Sequence, residues 1–335
     1  MINNIYLYIY ICFIFCFSFG ESLSFSNNLS ISYDSNPLKY SENEEVLSSR
    51  YLTYSSSLTT KQKIFKRNTR FTFSFKNKFY DKISQKSNYS LKFKAKQSLG
   101  NYQYLTFSYN YIDNIYLRSY KDADQIHYIL DYLYTGTDCH FDYSIITVDY
   151  ESPIINKLKR NKVKFNISYI YETQFYNKYF TEFDLELNGI AWKYSSSNRK
   201  NKHYISIASV RGKNLTANDN TLSTFNMDRG YDEYRSKFYF NQKLKGNRNI
   251  NFSINYNIRI YTSNFIDDEL HNQREHIDKK FSIDYYFIPN TLKNKVTFKI
   301  RNRKTQSPYQ WVEGLKTFKS YIIEYSIYFK KIGFK

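Results

Sequence analysis

The chain of 335 residues is rich in aromatic residues and strongly basic. Tyr, Phe and Trp make up 20% of it, 49 Lys and Arg stand against 30 Asp and Glu for a net charge of +19, and the mean hydropathy is still −0.64. This aromatic content excludes an intrinsically disordered chain, and 9 Gly and 4 Pro exclude a collagen-like or Pro/Gly-rich low-complexity chain. An AT-rich genome would favour the same Tyr, Phe, Ile, Asn and Lys, so composition alone does not identify a fold.

Residues 1–20 are predicted to be a cleaved signal peptide. The apolar run 5–19 has the length of a signal-peptide core and is shorter than the roughly 20 residues of a membrane-spanning helix. Ser18 and Gly20 supply the small residues expected just before the cleavage point. An uncleaved anchor is the alternative, because the first four residues carry no Lys or Arg. Cleavage would leave Cys139 as the only cysteine, so we expect an exported protein without an internal disulfide.

Residues 21–50 are predicted to be a polar N-terminal segment ahead of the main domain, 51–335. The segment is rich in Ser, Asn and Glu, and its stretch 28–33 is either a short first strand or part of a tail. A tail would lie in the periplasm, where it could contact a partner.

The segment 248–261 shows the clearest two-residue period. Polar residues alternate with six apolar ones: Ile250, Phe252, Ile254, Tyr256, Ile258 and Ile260. Such a period places the apolar side chains on one face of a β-strand, whereas a helix would scatter them. Twelve strand residues span about 40 Å, or about 28 Å when tilted by about 45°, which matches the thickness of a membrane.

The same alternation recurs along the whole mature chain. Clear segments are 71–75, 91–95, 105–111, 163–171, 183–187, 281–287, 296–300 and 321–329. Weaker candidates are 51–58, 127–134, 141–150, 203–210 and 234–244. The pattern predicts an all-β fold, a transmembrane antiparallel up-and-down β-barrel of about 14 strands (12–16). A soluble sandwich is the alternative, but so many long strands are unusual in one, and a closed barrel leaves no unpaired edge.

The lengths of the connections in the C-terminal half support a barrel. Long connections at 211–233, 262–275 and 304–319 alternate with short ones at 245–249 and 288–294. Outer-membrane barrels place the long loops outside and the short turns in the periplasm, with the C-terminus on the periplasmic side. The N-terminal half fits less well, because 112–125 is too long for the turn that this alternation requires.

Tyrosines stand at the ends of many apolar faces and are predicted to form two interfacial girdles, with the ring in lipid and the hydroxyl in water. AT-rich coding, which favours Tyr, is the alternative explanation. The girdle candidates are Tyr109, Tyr111, Tyr169, Tyr171, Tyr261 and Tyr321.

With its export signal, its alternating strands over 51–335 and its alternating C-terminal strand, the chain resembles a Gram-negative outer-membrane β-barrel protein of the porin-like superclass. The residues of the C-terminal assembly strand are Tyr321, Ile323, Tyr325, Ile327 and Phe329. The resemblance implies location in the cell outer membrane, insertion by the barrel-assembly machinery, and contact with outer-membrane lipid and lipopolysaccharide. The terminal aromatic residue that such families present is either Phe329 or Phe334, because six residues follow Phe329.

The polar faces of the strands are predicted to line the lumen and to be net basic. The predicted basic lumen residues are Lys92, Lys94, Lys96, Lys164, Lys243, Arg259, Lys299, Arg301 and Arg303. The predicted acidic lumen residues are Glu182, Asp184 and Glu186. A basic pore favours anions, so we expect a passive channel for small, preferentially anionic solutes. The alternatives are a closed structural barrel and a secretion or surface-assembly barrel.

An enzymatic barrel is the remaining alternative, and the sequence favours it least. Its histidines are His127, His140, His203, His271 and His276. His271 and His276 lie in or beside the charged stretch 267–278, whose Asp267, Asp268 and Glu269 either bind a divalent cation or are solvated. The sequence contains no Gly-rich phosphate loop and no metal-spaced Cys/His cluster, so we predict no enzyme activity, no cofactor and no metal. Export and the lack of a compact basic motif argue against nucleic acid as a partner.

Overall fold

The computed structural model describes residues 22–41, 46–120, 137–154, 162–215, 228–289, 292–329 and 332–334. The predicted signal peptide and the weak strand candidate 127–134 lie outside these residues. The strands are β1 (Ser22–Asp34), β2 (Ser49–Ile64), β3 (Arg67–Tyr80), β4 (Asn88–Gly100), β5 (Gln103–Tyr120), β6 (Thr137–Pro153), β7 (Lys162–Tyr176), β8 (Leu185–Ser197), β9 (Asn201–Asn214), β10 (Tyr231–Leu244), β11 (Arg248–Tyr261), β12 (Glu275–Phe287), β13 (Lys293–Gln306), β14 (Phe318–Tyr328) and β15 (Ile332–Phe334). One α-helix, α1, spans Gln310–Lys316, and two 3₁₀ turns span Ser84–Lys86 and Thr181–Phe183.

The strands β1 to β14 form a closed antiparallel barrel, which confirms the predicted fold and the predicted strand number. Each strand pairs with the next along the chain, and β14 pairs back with β1. At this seam β14 covers residues 28–34 of β1, and the short β15 pairs with Leu23, Ser24 and Phe25 further along the same edge. Backbone groups are therefore paired around the whole circumference, as a bilayer requires.

In the N-terminal half the structure decides between two alternatives and differs from one expectation. Of the two alternatives for the stretch 28–33, the strand is correct, because its backbone pairs with both β2 and β14 as part of β1. The stretch 112–125 was expected to be an overlong turn, but β5 continues to Tyr120 and pairs directly with β6. Bulges at 112–115 and 116–118, with Asn114 at a φ of 49°, break the two-residue period there and hide the strand in the sequence.

The outer face of the wall is a continuous apolar surface. Large apolar side chains at alternate positions are more than a third exposed on it, including Leu105, Phe107, Ile190, Trp192, Ile205, Ile207, Val296, Phe298, Ile323 and Tyr325. This is the surface that a membrane barrel presents to lipid. No helix among the described residues is long and apolar enough to cross a bilayer.

The predicted tyrosine girdle is placed on the outer face only in part. Tyr169 and Tyr321 are 49% and 46% exposed there. Tyr261, in contrast, is only 6% exposed and faces the lumen, because the outward positions of β11 are the even-numbered ones that end at Ile260. The prediction for Tyr261 was wrong by one position at the strand end.

The two ends of the barrel differ in the length of their connections. At the short-turn end the strands are joined by residues 65–66, 101–102, 154–161, 198–200, 245–247 and 288–292. At the long-loop end they are joined by residues 35–48, 81–87, 121–136, 177–184, 215–230, 262–274 and 307–317. The long loops predicted in the C-terminal half all lie at this second end, and the C-terminal β15 lies at the first.

Loops close over the lumen at the long-loop end. Leu38 of the first loop packs against Ile83 and Tyr116, and α1 buries Val312 completely. Arg118 of β5 donates a hydrogen bond to the backbone carbonyl of Leu315 at 3.5 Å, although β5 and β13 lie on opposite sides of the barrel. We call these packed segments, 35–41, 262–274 and α1, the cap.

Candidate functional site

The predicted basic residues of the lumen all lie at inward positions of their strands. They alternate with the exposed apolar residues of the outer face, as Lys94 does between Phe93 and Ala95. Their positions range from the short-turn rim, where Lys243 is exposed, to the cap, which Arg303 contacts. The inward set is Lys92, Lys94, Lys96, Lys164, Lys243, Arg259, Lys299, Arg301 and Arg303.

The acidic residues predicted for the lumen do not line it, and this prediction was wrong. Leu185 and Leu187 are completely buried on the inner face, so Glu186 between them faces outward. Glu182 lies in the 3₁₀ turn before β8, and Asp184 accepts the backbone N–H of Tyr176 at 2.6 Å. At the start of β8 the apolar residues face inward rather than outward, because this part of the strand packs under the cap, where the interior of the barrel is apolar.

Other carboxylates serve the lumen, and three of them are each shared by two cations. Every one of the three projects from the inner face and is at most 15% exposed in its side chain. The clusters are Glu151 with Lys96 at 3.4 Å and Lys164 at 2.6 Å, Glu324 with Lys295 at 2.5 Å and Lys299 at 3.5 Å, and Asp278 with Arg301 and Arg303, the latter at 2.9 Å. A ratio of two cations to one carboxylate leaves each cluster with a positive excess.

A fourth cluster joins strands that are not neighbours. Arg235 of β10 donates to both carboxylate oxygens of Glu172 on β7, one of them at 3.2 Å, and Glu172 is only 2% exposed. The contact crosses the inner face over β8 and β9, where Ala191 and Ala208 leave room. A Cβ at Gly189 would lie 2.5 Å from the carbonyl oxygen of Ser209, so a larger residue there would disturb this packing.

Arg259 links this cluster to the cap. It donates to Glu233 at 2.9 Å and stacks over the ring of Tyr231 at 3.9 Å. The same Glu233 accepts from Arg235 at 3.3 Å, so two arginines and two carboxylates form a continuous chain of ion pairs. The chain holds the Arg259 guanidinium just beneath the cap.

A cavity of about 140 Å³ lies between the cap and the barrel wall. We call it the cap cavity. Among the described residues that line it there is no Asp or Glu, and apolar walls come from leucines and from the rings of Tyr176, Phe183, Tyr261 and Phe318. The basic side chains that line it are Lys39, Arg118, Arg229, Arg259, Arg274, Arg303 and Lys316.

Arg274 is the most exceptional of these cations. It is only 3% exposed, and its Nε and Nη1 atoms have no hydrogen-bond partner among the described residues. Its guanidinium lies over the ring of Tyr261 at 3.8 Å. Burying an arginine without a hydrogen-bonded counter-charge is costly, so this arrangement calls for a physical reason.

The buried charges lower the basicity of their neighbours in the loops. Burial lowers the pKa of Lys316 to about 7, and Arg274 and Arg118 lower it further. The pKa of Lys39 lies well below its usual value because of the charge of Arg301 and because of burial. Both lysines therefore lie in an environment that disfavours positive charge.

A buried aspartate–histidine pair fastens the cap. Asp268 is 1% exposed and accepts hydrogen bonds from Ser263 at 2.9 Å, from the backbone N–H of Asp228 at 3.0 Å, and from His271 Nδ1 at 2.8 Å. Burial lowers the pKa of His271 to about 4, against the opposing hydrogen bond to Asp268, so the ring is neutral at pH 7. Because an ionised carboxylate only accepts, the proton of the neutral ring is on Nδ1.

The other candidate groups do not assemble into a site. Among the described residues there is no group of three His, Cys, Asp or Glu side chains suited to a metal. Asp268 is engaged as above, and Glu269 accepts the indole N–H of Trp311 at 2.8 Å. His203 lies at the short-turn end of β9, whereas His271 lies in the cap at the other end of the barrel. His140 lies on β6, which is five strands from β11, and His127 lies outside the described residues.

The sequence identified the strand-borne cations but not those of the loops. Long loops have no period from which the direction of a side chain could be read, so Lys39, Arg229 and Lys316 carried no signal. Arg118 lies on β5, but the bulge at 116–118 breaks the two-residue period there. Arg274 did lie in the charged stretch 267–278. Nothing in that stretch distinguishes a buried guanidinium from a solvated one.

No family model matches the chain, and no curated protein matches it. Solved structures do align with it over nearly its full length. OccAB4 of Acinetobacter baumannii shares 9% identity at a TM-score of 0.43, with 93% of this chain and 99% of that chain covered. An anion-selective porin from Comamonas acidovorans shares 8% at 0.45, covering 94% and 100%, and OccK1 (OpdK) of Pseudomonas aeruginosa shares 7% at 0.42, covering 94% and 100%.

Proposed function

We propose that this protein is an exported outer-membrane β-barrel that passes small solutes passively and prefers anions. The observation that carries the proposal is the contrast between its two surfaces. The outer face is apolar, and the inner face carries clusters in which two cations share one carboxylate. An interior built in this way attracts anions and repels cations.

Further lysines strengthen the preference in the middle of the wall. Lys76, Lys92 and Lys94 lie on adjacent strands β3 and β4, and no ion pair to any of them occurs within the described part of the chain. An anion that enters from the short-turn end passes the cluster of Glu151 with Lys96 and Lys164 near the ends of β6 and β7. The solute then meets these lysines on its way to the cap.

Electrical recording of the refolded mature chain in a planar bilayer tests the proposal. We expect discrete channel events, and in a KCl gradient we expect a zero-current potential of the sign given by chloride permeation. The absence of events above the level of protein-free bilayers would contradict the channel. Events with cation selectivity would contradict the anion preference.

The cap favours one alternative function, a closed structural or surface-assembly barrel. Val312 and Asp268 are almost completely buried in it, so the long-loop end is well packed. A protein that folds and inserts but never conducts, even when the cap is destabilised, would support this alternative.

Two further parts of the proposal concern activity and partners. We infer no hydrolase activity, because Asp268 and His271 are both buried and Asp268 also binds Ser263 and the Asp228 backbone, which is the pattern of a structural fastener. The partners that fit an exported barrel are outer-membrane lipid, lipopolysaccharide and the barrel-assembly machinery, to which the strand Tyr321–Phe329 would be presented. Replacing Phe329 with Ala should slow assembly in cells, and unchanged assembly would argue for Phe334 as the terminal aromatic.

A further inference from the structure

From the cap cavity we infer a binding site for one small oxyanion, a carboxylate or a phosphate, whose principal ligand is the buried guanidinium of Arg274. The inference deepens the proposed function by naming the class of solute that this site selects. It depends on that function only for a role in transport, because binding can be measured whether or not the barrel conducts.

The lining of the cavity is strongly basic. Within the described part of the chain, seven Lys and Arg side chains line the cavity and no Asp or Glu does. The carboxylates Glu233 and Asp278 of the wall are already engaged by Arg259 and by Arg301 and Arg303. A cluster of buried cations is unfavourable when the cavity is empty, and an anion would reduce that cost.

Two nitrogen atoms of the buried Arg274 guanidinium, Nε and Nη1, have no hydrogen-bond partner among the described residues. Each of these N–H groups can donate a charge-assisted hydrogen bond to an oxygen of a carboxylate or phosphate. Stacking on Tyr261 fixes the plane of the group, so its N–H groups are oriented before the anion arrives.

Neutral groups hold the neighbouring cation Arg229 in place. Arg229 donates to the backbone carbonyl of Phe183 and to the side-chain oxygen of Gln174, both at 2.9 Å. It also stacks on the ring of Tyr176 at 4.6 Å. Because these partners are uncharged, the full charge of Arg229 remains available to an anion in the cavity.

The size and walls of the cavity limit the ligand. A cavity of about 140 Å³ is close to the roughly 150 Å³ that accommodates a benzene molecule in a protein interior. Leu38, Leu270 and Leu315 provide apolar walls beside the cationic groups. Phosphate fits this space, and so does a carboxylate with a compact apolar body, whereas an oligomeric anion does not.

Calorimetric titration of the refolded mature chain in detergent tests the site. Sodium phosphate and sodium benzoate are titrated separately at constant ionic strength. We expect saturable binding of at least one of them with one anion per chain. Phosphate alone would assign an inorganic oxyanion, and benzoate alone would assign an organic carboxylate. Failure of both to bind saturably would overturn the inference.

Matched arginine variants locate the binding. Arg274→Gln should weaken the affinity at least about tenfold, since the positive charge and its charge-assisted hydrogen bonds are lost, and Arg274→Lys should fall between this variant and the wild type. Arg211→Gln is the control, because Arg211 is 81% exposed in its side chain and pairs with Asp232 on the outer face. Undiminished affinity in Arg274→Gln, or an equal loss in Arg211→Gln, would overturn the assignment.

Thermal unfolding separates a binding role from a structural one. Without anion, Arg274→Gln should unfold at the same temperature as the wild type or higher, because an unpartnered buried guanidinium is removed. The bound anion should raise the unfolding temperature of the wild type only.

If Arg274→Gln does not fold, Lys316→Gln provides the second variant. We expect its affinity for the anion to fall several-fold, and unchanged affinity there would count against the site. Saturable binding without conductance would refute only the channel, and anion-selective conductance without saturable binding would refute only the site.

Discussion

At the long-loop end of the barrel the inner residues are packed against loops, whereas at the short-turn end they line an open polar wall. Leu185, Leu187 and Tyr231 are completely buried under the cap, but Lys243 at the other end is exposed. Both ends belong to the same sheet with the same antiparallel pairing. The difference therefore comes from the lengths of the connections, because only the long loops reach back into the lumen.

The two ends of the barrel differ in how firmly their charged side chains are held. In the cap, buried charges are held in fixed positions by ion pairs and by stacked rings, as for Arg259 and Arg274. Along the wall below the cap, the side chains of Lys92 and Lys94 are long and flexible. Under the proposed function these lysines attract anions from a distance and the cap binds one of them in a fixed position.

The largest effect is expected from breaking the ion-pair chain beneath the cap. Glu172→Ala should lower the free energy of unfolding by about 3 to 4 kcal/mol, because it leaves the Arg235 charge partly buried with only Glu233 as partner. Glu324→Ala, nearer the short-turn end and 14% exposed in its side chain, should cost about 1 kcal/mol. Guanidinium unfolding of the refolded barrels measures both, and equal losses would contradict the difference between the ends.

A slightly smaller effect is expected from releasing the loop 262–274. Asp268→Ala removes the acceptor of Ser263, of the Asp228 backbone and of His271, and should lower the free energy of unfolding by about 2 to 3 kcal/mol. Limited proteolysis should also cut the loop faster. The matched control is Asp232→Ala, whose exposed pair with Arg211 should contribute less than about 1 kcal/mol. A loop that stays protease-resistant in Asp268→Ala would show that other contacts hold the cap.

The affinity of the cap cavity for an oxyanion should fall as pH rises through the pKa of Lys316. That pKa is about 7 in the unliganded protein, because burial and then the charges of Arg274 and Arg118 lower it. The group is therefore cationic at pH 6 and neutral at pH 8.5, so phosphate or benzoate should bind about tenfold more weakly at the higher pH. The charged and titratable groups around Lys316 are Arg118, Arg229, Arg274, Tyr261 and His276.

The lowered pKa of Lys316 also makes the folding stability of the protein depend on pH. Between about pH 7 and the unfolded value of 10.5, the unfolded chain binds a proton at Lys316 that the folded chain does not. In the absence of anion, the contribution of Lys316 to the free energy of unfolding should therefore increase as the pH rises through this range. Calorimetry of Lys316→Gln is the control, since its anion affinity should lose the step near pH 7. A step that persists in this variant would assign the titration to another group.

The smallest effect on stability, with a clear effect on selectivity, is expected in the middle of the wall. Lys92→Glu combined with Lys94→Glu should change the free energy of unfolding by less than about 1 kcal/mol, because Lys92 is exposed and Lys94 is half-buried. The preference for anions should nevertheless fall towards non-selective conduction. A matched Lys92→Gln and Lys94→Gln variant should fall between this variant and the wild type. Unaltered selectivity in both would place the selectivity elsewhere in the lumen.

The sequence predicted the barrel because apolar and polar residues must alternate along each strand of a membrane barrel. Codon bias changes which apolar residues occur but does not remove this two-residue period. It failed where packing overrides the period. Leu185 and Leu187 look like lipid-facing residues, but they lie beneath the cap, where the interior is apolar. The bulges in β5 hid a strand for a related reason, since one extra residue reverses the faces.

The cap cavity could be predicted only in fragments. Arg259 and Arg303 were predicted to face inward by their strand positions, and both line the cavity. Arg274 and Lys316 converge with them through loop conformations that depend on contacts between residues distant in sequence, such as Arg118 with Leu315. No local pattern encodes such contacts, so the site emerges only when the loops are folded.

The zero-current potential of the refolded wild-type barrel in a KCl gradient tests the central claim most directly. A lumen in which pairs of cations share single carboxylates should give a potential of the sign set by chloride, and raising the salt concentration should reduce its magnitude by screening. A potential of the sign set by potassium, or bilayers that stay silent although the protein has inserted, would contradict the account.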